Sequence, residues 1–339
     1  MMMTPDILWK ELEQESQRIT GTGMLKRMLS PYSTCNMFLA VQRPFLKRIF
    51  LLQVFRNQLP SIQLIPESRG FELTVQITGE EAETHATFVL SATEPMYNEV
   101  FSAMVGNLYQ SLKECKEERQ IVRLFLERLI QWQRFFEMNF NGLCETAQRG
   151  LYGELYFLKK HFLSSPEFFL DDISAWTGPK ARQHDFQFGD TAVEVKTCCA
   201  KQHQTLLISN EQQLDETLVD NLFVFHLSLS SVENQTDTLP ALIAQIREML
   251  FSAYAATSIL EDALLERGYL NAQAWRYQKT GYVIRESNLF RVSGDFPRLT
   301  ERNLPIGVGG LTYSINVAEC KKFSVNFDEL ISHIRRVRT

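Results

Sequence analysis

The sequence predicts an α+β or α/β fold with a central mixed β-sheet, and three patterns support this prediction. Apolar and polar residues alternate from Phe71 to Ile77, which is the period of a half-buried strand. Two stretches, 101–112 and 121–136, repeat apolar residues at helical spacing. After residue 150 the order changes to helix, three strands, helix and strand. We therefore expect a mixed sheet covered by helices in the second half of the chain.

A length of 339 residues and this change of order predict three modules. The first, residues 1–145, is expected to be an α+β module of strands followed by two helices that serves substrate or partner binding. Residues 146–230 are expected to form the core, and residues 231–339 a C-terminal α+β extension packed on it.

The N-terminal module is predicted to open with a short helix at Thr4 and Pro5, because Thr caps helices and Pro suits their first position. Strands are expected over 45–90, with a hairpin at 79–80. In the extension, helices are predicted over 242–254 and 260–267, strands over 282–285, 289–292 and 311–317, and a last helix from Phe327.

The composition indicates a globular protein of a reducing compartment. The longest apolar runs are shorter than the ~18 residues of a membrane span, and the N-terminus lacks the apolar stretch of a signal peptide. We therefore expect a cytoplasmic protein with no membrane partner. Six scattered cysteines without a CxxC pair favour reduced thiols over a zinc site.

The formal net charge of −5 is unusual for a nucleic-acid-binding protein. Local basic patches occur at 159–161, at Lys180 and Arg182, at Lys201 and at 335–338. Any groove for nucleic acid is therefore expected to be local.

A β-hairpin with ionisable side chains is predicted around Gly189 and Asp190. With a two-residue turn, Phe188 faces Thr191, and stepping outward places Asp185 opposite Glu194. Alternation then puts Ala192, Glu194 and Lys196 on one face, and Val193, Val195 and Thr197 on the other.

Two carboxylates opposite each other destabilise a strand pair by up to ~1 kcal/mol unless something compensates. A divalent cation held by Asp185 and Glu194 would do so, and Lys196 adds a positive charge at the same place. This set suits phosphodiester hydrolysis. The hairpin alone fits equally well with a cross-strand salt-bridge trio.

Glu154 adds a third carboxylate. It lies on the apolar stripe of a predicted helix, three residues after Leu151 and four before Leu158. A buried carboxylate needs a partner. We interpret Glu154 as directed at the same metal site, and the alternative is a Glu at the edge of the stripe that reaches solvent.

This order, a helix with Glu followed by Asp and then Glu-x-Lys on the next strand, resembles the PD-(D/E)XK nuclease superfamily. The runs GLYGELYFL, WTGP, HDFQF and VEVK are similar to an uncharacterised bacterial family with this motif, found in genome-defence neighbourhoods. The resemblance implies a restriction-endonuclease-like αβββαβ core. Its third strand would be Thr205–Ser209, its second helix Glu211–Leu218, and its fourth strand Leu222–Leu229.

By this resemblance the catalytic residues are Glu154, Asp185, Glu194 and Lys196. The metal ligands would be Asp185, Glu194 and the backbone carbonyl of Val195, with Mg²⁺ as cofactor and Mn²⁺ as a substitute. The chain departs from the motif in having His184, not Pro, before Asp185.

Three further residues near this constellation are assigned to structural roles. Alternation puts His184 on the face opposite Asp185, so a packed core histidine is predicted. Trp176 and His226 are likewise expected to be buried. Gln212 or Gln213 resembles a glutamine that some branches have near the site, and neither is assigned a role.

The function expected from these residues is a Mg²⁺-dependent DNA endonuclease of a restriction or phage-defence system. A repair or recombination nuclease uses the same core, and a catalytically inactive subunit that binds DNA or a partner stays open as the non-enzymatic alternative. Expected partners are DNA and other defence subunits, such as an ATPase or a methyltransferase. A homodimer is also open.

Overall fold

The computed structural model describes residues 5–29, 34–59, 68–78, 85–138, 140–180 and 182–338, with side chains as far as residue 334. The chain divides into two compact units, Met1–Asn141 and Gly142–Thr339. The predicted cap at Thr4, the hairpin turn at 79–80 and the side chains of 335–338 lie outside the described residues.

The first unit combines three helices with an antiparallel sheet of five strands in the order β1-β2-β3-β5-β4. Its elements are α1 Pro5–Gln17, β1 Gly23–Met28, β2 Asn36–Arg43, β3 Lys47–Phe55, β4 Phe71–Thr78, β5 His85–Ala92, α2 Asn98–Leu112 and α3 Glu118–Met138.

The apolar patterns predict three elements of the first unit correctly. The alternating run is β4, and the two helical stripes are α2 and α3. Their apolar residues are buried, with Phe101, Phe125 and Trp132 at most 1% exposed. Strands β1 and β2 were missing from the prediction.

The second unit contains the remaining six helices and six strands of the described chain. They are α4 Glu145–His161, α5 Phe169–Ser174, β6 Phe186–Phe188, β7 Thr191–Cys198, β8 Thr205–Ile208, β9 Asn221–Glu233, α6 Leu239–Met249, α7 Tyr254–Glu266, β10 Thr280–Arg291, β11 Tyr313–Asn316, α8 Val317–Cys320 and α9 Phe327–Arg338.

Four of these strands form a mixed sheet in the order β10-β9-β7-β6. β6 pairs antiparallel with β7, β7 parallel with β9, and β9 antiparallel with β10. The fold class is therefore the predicted one, an α+β fold with a mixed sheet compatible with a restriction-endonuclease-like core. A single large core packs helices α4, α6, α7 and α9 with the apolar residues of β7 and β9.

Two elements of the predicted core are wrong in detail. The third strand, observed as β8, pairs with β11 in a separate two-stranded sheet, and β10 is the fourth strand of the main sheet. Residues 211–218, predicted as a helix, form turns.

The turns arise because side chains compete with the helix for backbone partners. Asn210 Oδ1 accepts the N–H groups of Gln212 and Gln213 as a helix cap would. The carboxylate of Asp215 then accepts both the backbone N–H and the hydroxyl of Thr217. Such bonds favour turns over a helix in so short a stretch.

Close packing of α4 on β7 determines where the helix places its side chains. Gly153 lies against the sheet, and a Cβ at this position would overlap the Cγ2 methyl group of Thr197. Glycine thus allows the helix to approach the strand closely, next to Glu154.

We expect Gly153→Ala to destabilise the protein by about 1–3 kcal/mol through overpacking. Gly150→Ala, in the same helix, is the matched control. A Cβ there meets nothing within 4 Å, so this change should stabilise by about 0.5–1 kcal/mol. Chemical denaturation checks both. Adding Thr197→Ser, which removes the overlapping methyl group, should recover most of the loss, and a Gly153→Ala protein as stable as the wild type would contradict the close approach.

Candidate active site

The β6–β7 hairpin has the predicted register. Phe188 faces Thr191, and Phe186 faces Val193. Gly189 has a φ of 60°, which suits glycine as the first residue of a tight hairpin turn. The pairing ends at Phe186, one residue after Asp185.

The end of β6 leaves the backbone of Val195 facing a side chain instead of a strand. Its N–H donates to Asp185 Oδ2 at 2.9 Å. Because the N–H and C=O of one strand residue point to the same side, the Val195 carbonyl also points to the side of Asp185. The structure thus brings Asp185 and the predicted backbone ligand together.

The two faces of β7 are those predicted by alternation. Val193 and Val195 pack in the large core with α4, whereas Ala192 packs in a second core with β8 and β11. Glu194 therefore points away from α4, the helix that carries Glu154.

Glu194 and Lys196 form a buried ion pair on this second face. Their side chains are 3% and 11% exposed, and Lys196 Nζ lies 2.8 Å from Glu194 Oε1. The same ammonium group donates to Gln213 Oε1 at 2.8 Å, and Gln213 is held by the N–H of Ser209. Among the described contacts these two oxygens leave one of the three lysine N–H groups for water or phosphate.

Glu154 reaches Asp185 through an arginine that the sequence did not indicate. Arg267 follows the last residue of α7. Its Nε donates to Glu154 Oε2 at 3.1 Å, and its Nη2 donates to both Glu154 Oε1 and Asp185 Oδ1, the latter at 3.0 Å. Trp176 Nε1 also donates to Glu154 Oε2, at 2.7 Å.

The Trp176–Gly178 segment packs against the ion pairs that Arg267 forms with Glu154 and Asp185. The N–H groups of Thr177 and Gly178 both donate to the carbonyl of Asp185. A Cβ on Gly178 would lie 2.5 Å from Arg267 Nη2 and 2.8 Å from Asp185 Oδ1. The glycine therefore leaves the space that the Arg267–Asp185 contact occupies.

Burial changes the protonation of the two glutamates. Loss of solvent and then the nearby charge of Asp185 raise the pKa of Glu154 to about 7 and that of Glu194 to about 8. Among the described residues, three carboxylates pair with two cations, Arg267 and Lys196, in a site where neither glutamate is more than 8% exposed. The site has an excess of buried negative charge when all three acids are ionised.

These pKa values predict a pH-dependent loss of stability in the metal-free protein. The ordinary glutamate value is 4.5, so the folded protein binds protons that the unfolded chain has released. This stabilisation is complete below about pH 4.5 and is lost as pH rises through about 7 to 8. In EDTA, the wild type should therefore lose melting temperature relative to Glu194→Gln, which cannot titrate, as pH rises from about 5 to about 8. Exposed Asp190→Asn should follow the wild type, and a constant difference would contradict the assignment.

The site contains oxygen groups that could hold a divalent cation. Among the described residues no three His, Cys, Asp or Glu side chains form a ready metal cage. Mg²⁺ is typically held by one or two carboxylates, with water and phosphate completing its shell. Asp185, Glu194 and the Val195 carbonyl supply oxygen ligands of this kind, and the excess of buried carboxylate favours a cation.

The residues assigned to structural roles are buried. His184, Trp176 and His226 are 4%, 1% and 0% exposed. Burial lowers the pKa of His184 and lowers that of His226 to about 4, so both imidazoles are neutral at pH 7.

Comparison with protein-family models matches residues 6–318 to one family, described as "Putative PD-(D/E)XK family member" (DUF4420). The match covers nearly the whole chain of 339 residues. The chain belongs to this family.

Membership in this PD-(D/E)XK family makes the protein nuclease-like, and nucleases of this type generally use divalent metals. Curated proteins and solved structures give no match to the chain. Within the part of the chain that the structure describes, no helix has the length and apolar character to cross a membrane.

Two side chains of the site were missed by sequence reasoning. Arg267 lies 82 residues after Asp185 and 113 after Glu154. No sequence motif around it indicates a residue of the site. Gln213 was noted by resemblance but assigned no role. The signal that could have found Arg267 is physical, because a buried Glu154 requires a cationic partner.

Proposed function

We propose that the protein is a Mg²⁺-dependent DNA endonuclease whose centre is Asp185, Glu194 and Lys196. The observation that carries this proposal is the end of β6, where Asp185 binds the Val195 backbone beside the buried Glu194–Lys196 pair. Two acids, a backbone carbonyl and a lysine at one sheet edge are suited to phosphodiester hydrolysis.

Each side chain has a defined task in this proposal. Asp185, Glu194 and the Val195 carbonyl would hold the cation. A bound divalent cation supplies an activated water and stabilises charge that develops on the phosphate. Lys196, fixed by Glu194 and Gln213, directs its remaining N–H toward that water or the phosphate.

DNA is proposed as the substrate and genome defence as the setting, on the resemblance of the motifs. A net charge of −5 gives weak intrinsic attraction to phosphates. We therefore propose that a partner subunit, such as an ATPase or a methyltransferase, helps to bring DNA to the site. A repair or recombination nuclease, which uses the same core, is the alternative enzyme class.

A catalytically inactive nuclease-like subunit is the second candidate, and one feature favours it. Each carboxylate of the site has a cationic partner, Arg267 for Glu154 and Asp185 and Lys196 for Glu194. Such ion pairs can compensate the buried negative charges of the site without a metal.

Incubation with supercoiled plasmid in Mg²⁺ or Mn²⁺ tests the proposal. We expect nicked and linear DNA, none in EDTA, and unchanged cleavage by Lys279→Met, an exposed lysine just before β10. Cleavage that survives EDTA would contradict a metal centre. A wild-type protein that cuts no DNA and also fails to bind Mn²⁺ in calorimetry would establish the inactive subunit. Equal cutting of branched and linear DNA would argue against a structure-specific repair enzyme.

A further inference from the structure

The side chains around Glu154 indicate that it anchors an arginine. Its Oε1 accepts from Arg267 Nη2, and its Oε2 accepts from both Arg267 Nε and Trp176 Nε1. A carboxylate oxygen has about two acceptor positions. Both positions of Oε2 are therefore filled, and one of Oε1 is filled as well.

Arg267 connects this anchor to the Asp185 carboxylate. Its Nη2 donates to Asp185 Oδ1 at 3.0 Å, while the Val195 N–H holds Oδ2 at 2.9 Å. Two donors fix the carboxylate at both oxygens, and each oxygen keeps one acceptor position. With the arginine removed, only the backbone contact would orient Asp185.

We propose that Arg267 is a positioning residue of the site, whose guanidinium is held by Glu154 and Trp176 and sets the Asp185 carboxylate for metal binding. This inference rests on the proposed function and makes Glu154 an anchor instead of a ligand. It also gives the Trp-Thr-Gly-Pro segment a task. Trp176 completes the anchor, and Gly178 leaves room for the Arg267–Asp185 contact.

The competing explanation is that Arg267 only neutralises a buried glutamate. Removing either partner of a buried pair leaves an uncompensated charge, whereas removing both can be neutral for stability. Glu154→Gln/Arg267→Met removes both charges and keeps an acceptor for Trp176. This double variant therefore separates folding from positioning.

The test measures the dissociation constant of Mn²⁺ by calorimetry, together with melting temperature and plasmid cleavage. We expect the double variant to melt near the wild type but to bind Mn²⁺ about 10- to 100-fold more weakly, the cost typical of groups that orient metal ligands. Arg267→Met alone should lose a similar factor. Glu154→Gln alone should lose less, because Arg267 still contacts Asp185.

A matched control exists in the same unit. Arg247 and Glu261 form a similar two-bond pair, at 2.7 and 2.9 Å, and none of their described contacts involves a residue of the site. Glu261→Gln/Arg247→Met should leave Mn²⁺ affinity unchanged.

The outcomes are distinguishable from failure of the proposed function. A double variant that binds Mn²⁺ as tightly as the wild type would overturn the role of Arg267 and leave the nuclease proposal intact. A greater loss from Glu154→Gln than from Arg267→Met would also overturn it, by making Glu154 a direct ligand. If the wild type binds Mn²⁺ with the expected variant series but cuts no DNA, the positioning role stands, and the proposal that the chain cleaves DNA without a partner falls. A wild type that binds no Mn²⁺ overturns both.

Discussion

Replacing Asp185 by asparagine is expected to lower metal-dependent DNA cleavage by at least about a hundredfold, the scale of losing a group that stabilises charge in a transition state. Asparagine keeps the size of the side chain and can still accept the Val195 N–H. It lacks the negative charge that would hold the cation and pair with Arg267. The measurement is the initial rate of plasmid nicking in Mg²⁺.

The control for this prediction is Asp190→Asn, on the exposed turn of the same hairpin. Asp190 contacts Thr191 and is remote from the ion pairs of the site, so the rate should match that of the wild type. Asp185→Asn protein that cleaves at the wild-type rate would remove Asp185 from the proposed centre.

Lys196→Met is expected to have the second largest effect, lowering the cleavage rate by about 10²- to 10³-fold. The methionine fills similar space but takes away the ammonium group that lies between Glu194 and Gln213. Single-turnover cleavage should show the loss in the chemical step, because the lysine is proposed to act on the reacting phosphate. Lys279→Met, an exposed lysine outside the basic patches, is the matched control.

The same substitution also affects stability, and a double variant separates the two effects. Lys196→Met leaves Glu194 buried without its partner, which is destabilising. Glu194→Gln/Lys196→Met should recover melting temperature while cleavage stays low. Because Glu194→Gln also removes a proposed metal ligand, recovery of cleavage in this double variant would exclude both Glu194 and Lys196 from the proposed centre.

The hairpin was predictable because its determinants are local. A Gly-containing two-residue turn and strict alternation fix the register of β6 and β7, and a one-residue slip would move every side chain to the other face. Strand β9 was predictable for a related reason, since a continuous apolar run suits a strand buried on both faces.

Strands that pair with residues far away in the sequence were less predictable. β8 has a strand pattern, but its partner β11 comes from residues 313–316, which no local rule selects. β10 was expected as two strands and is one strand, with an irregularity between Ile284 and Glu286. A bulge of this kind interrupts the alternation from which strands are read.

The site follows the same division. Asp185, Glu194 and Lys196 lie on or directly beside one hairpin, whose observed register over Phe186–Phe188 is the predicted one. Glu154 approaches Asp185 only through Arg267, whose position depends on the packing of α7 against the Gly178–Lys180 segment. The contact between Glu154 and Arg267 joins residues 113 positions apart. The motif residues therefore do not predict it.

The central claim is that Asp185 and Glu194 hold a divalent cation at the end of β6. A crystal of the protein soaked in Mn²⁺ tests it most directly, through the anomalous scattering of the metal. We predict one peak within bonding distance of oxygens from Asp185 and Glu194 and of the Val195 carbonyl, because hard divalent cations take oxygen ligands. A crystal with Mn²⁺ bound elsewhere and this position empty, with the Glu194–Lys196 and Asp185–Arg267 pairs intact, would contradict it.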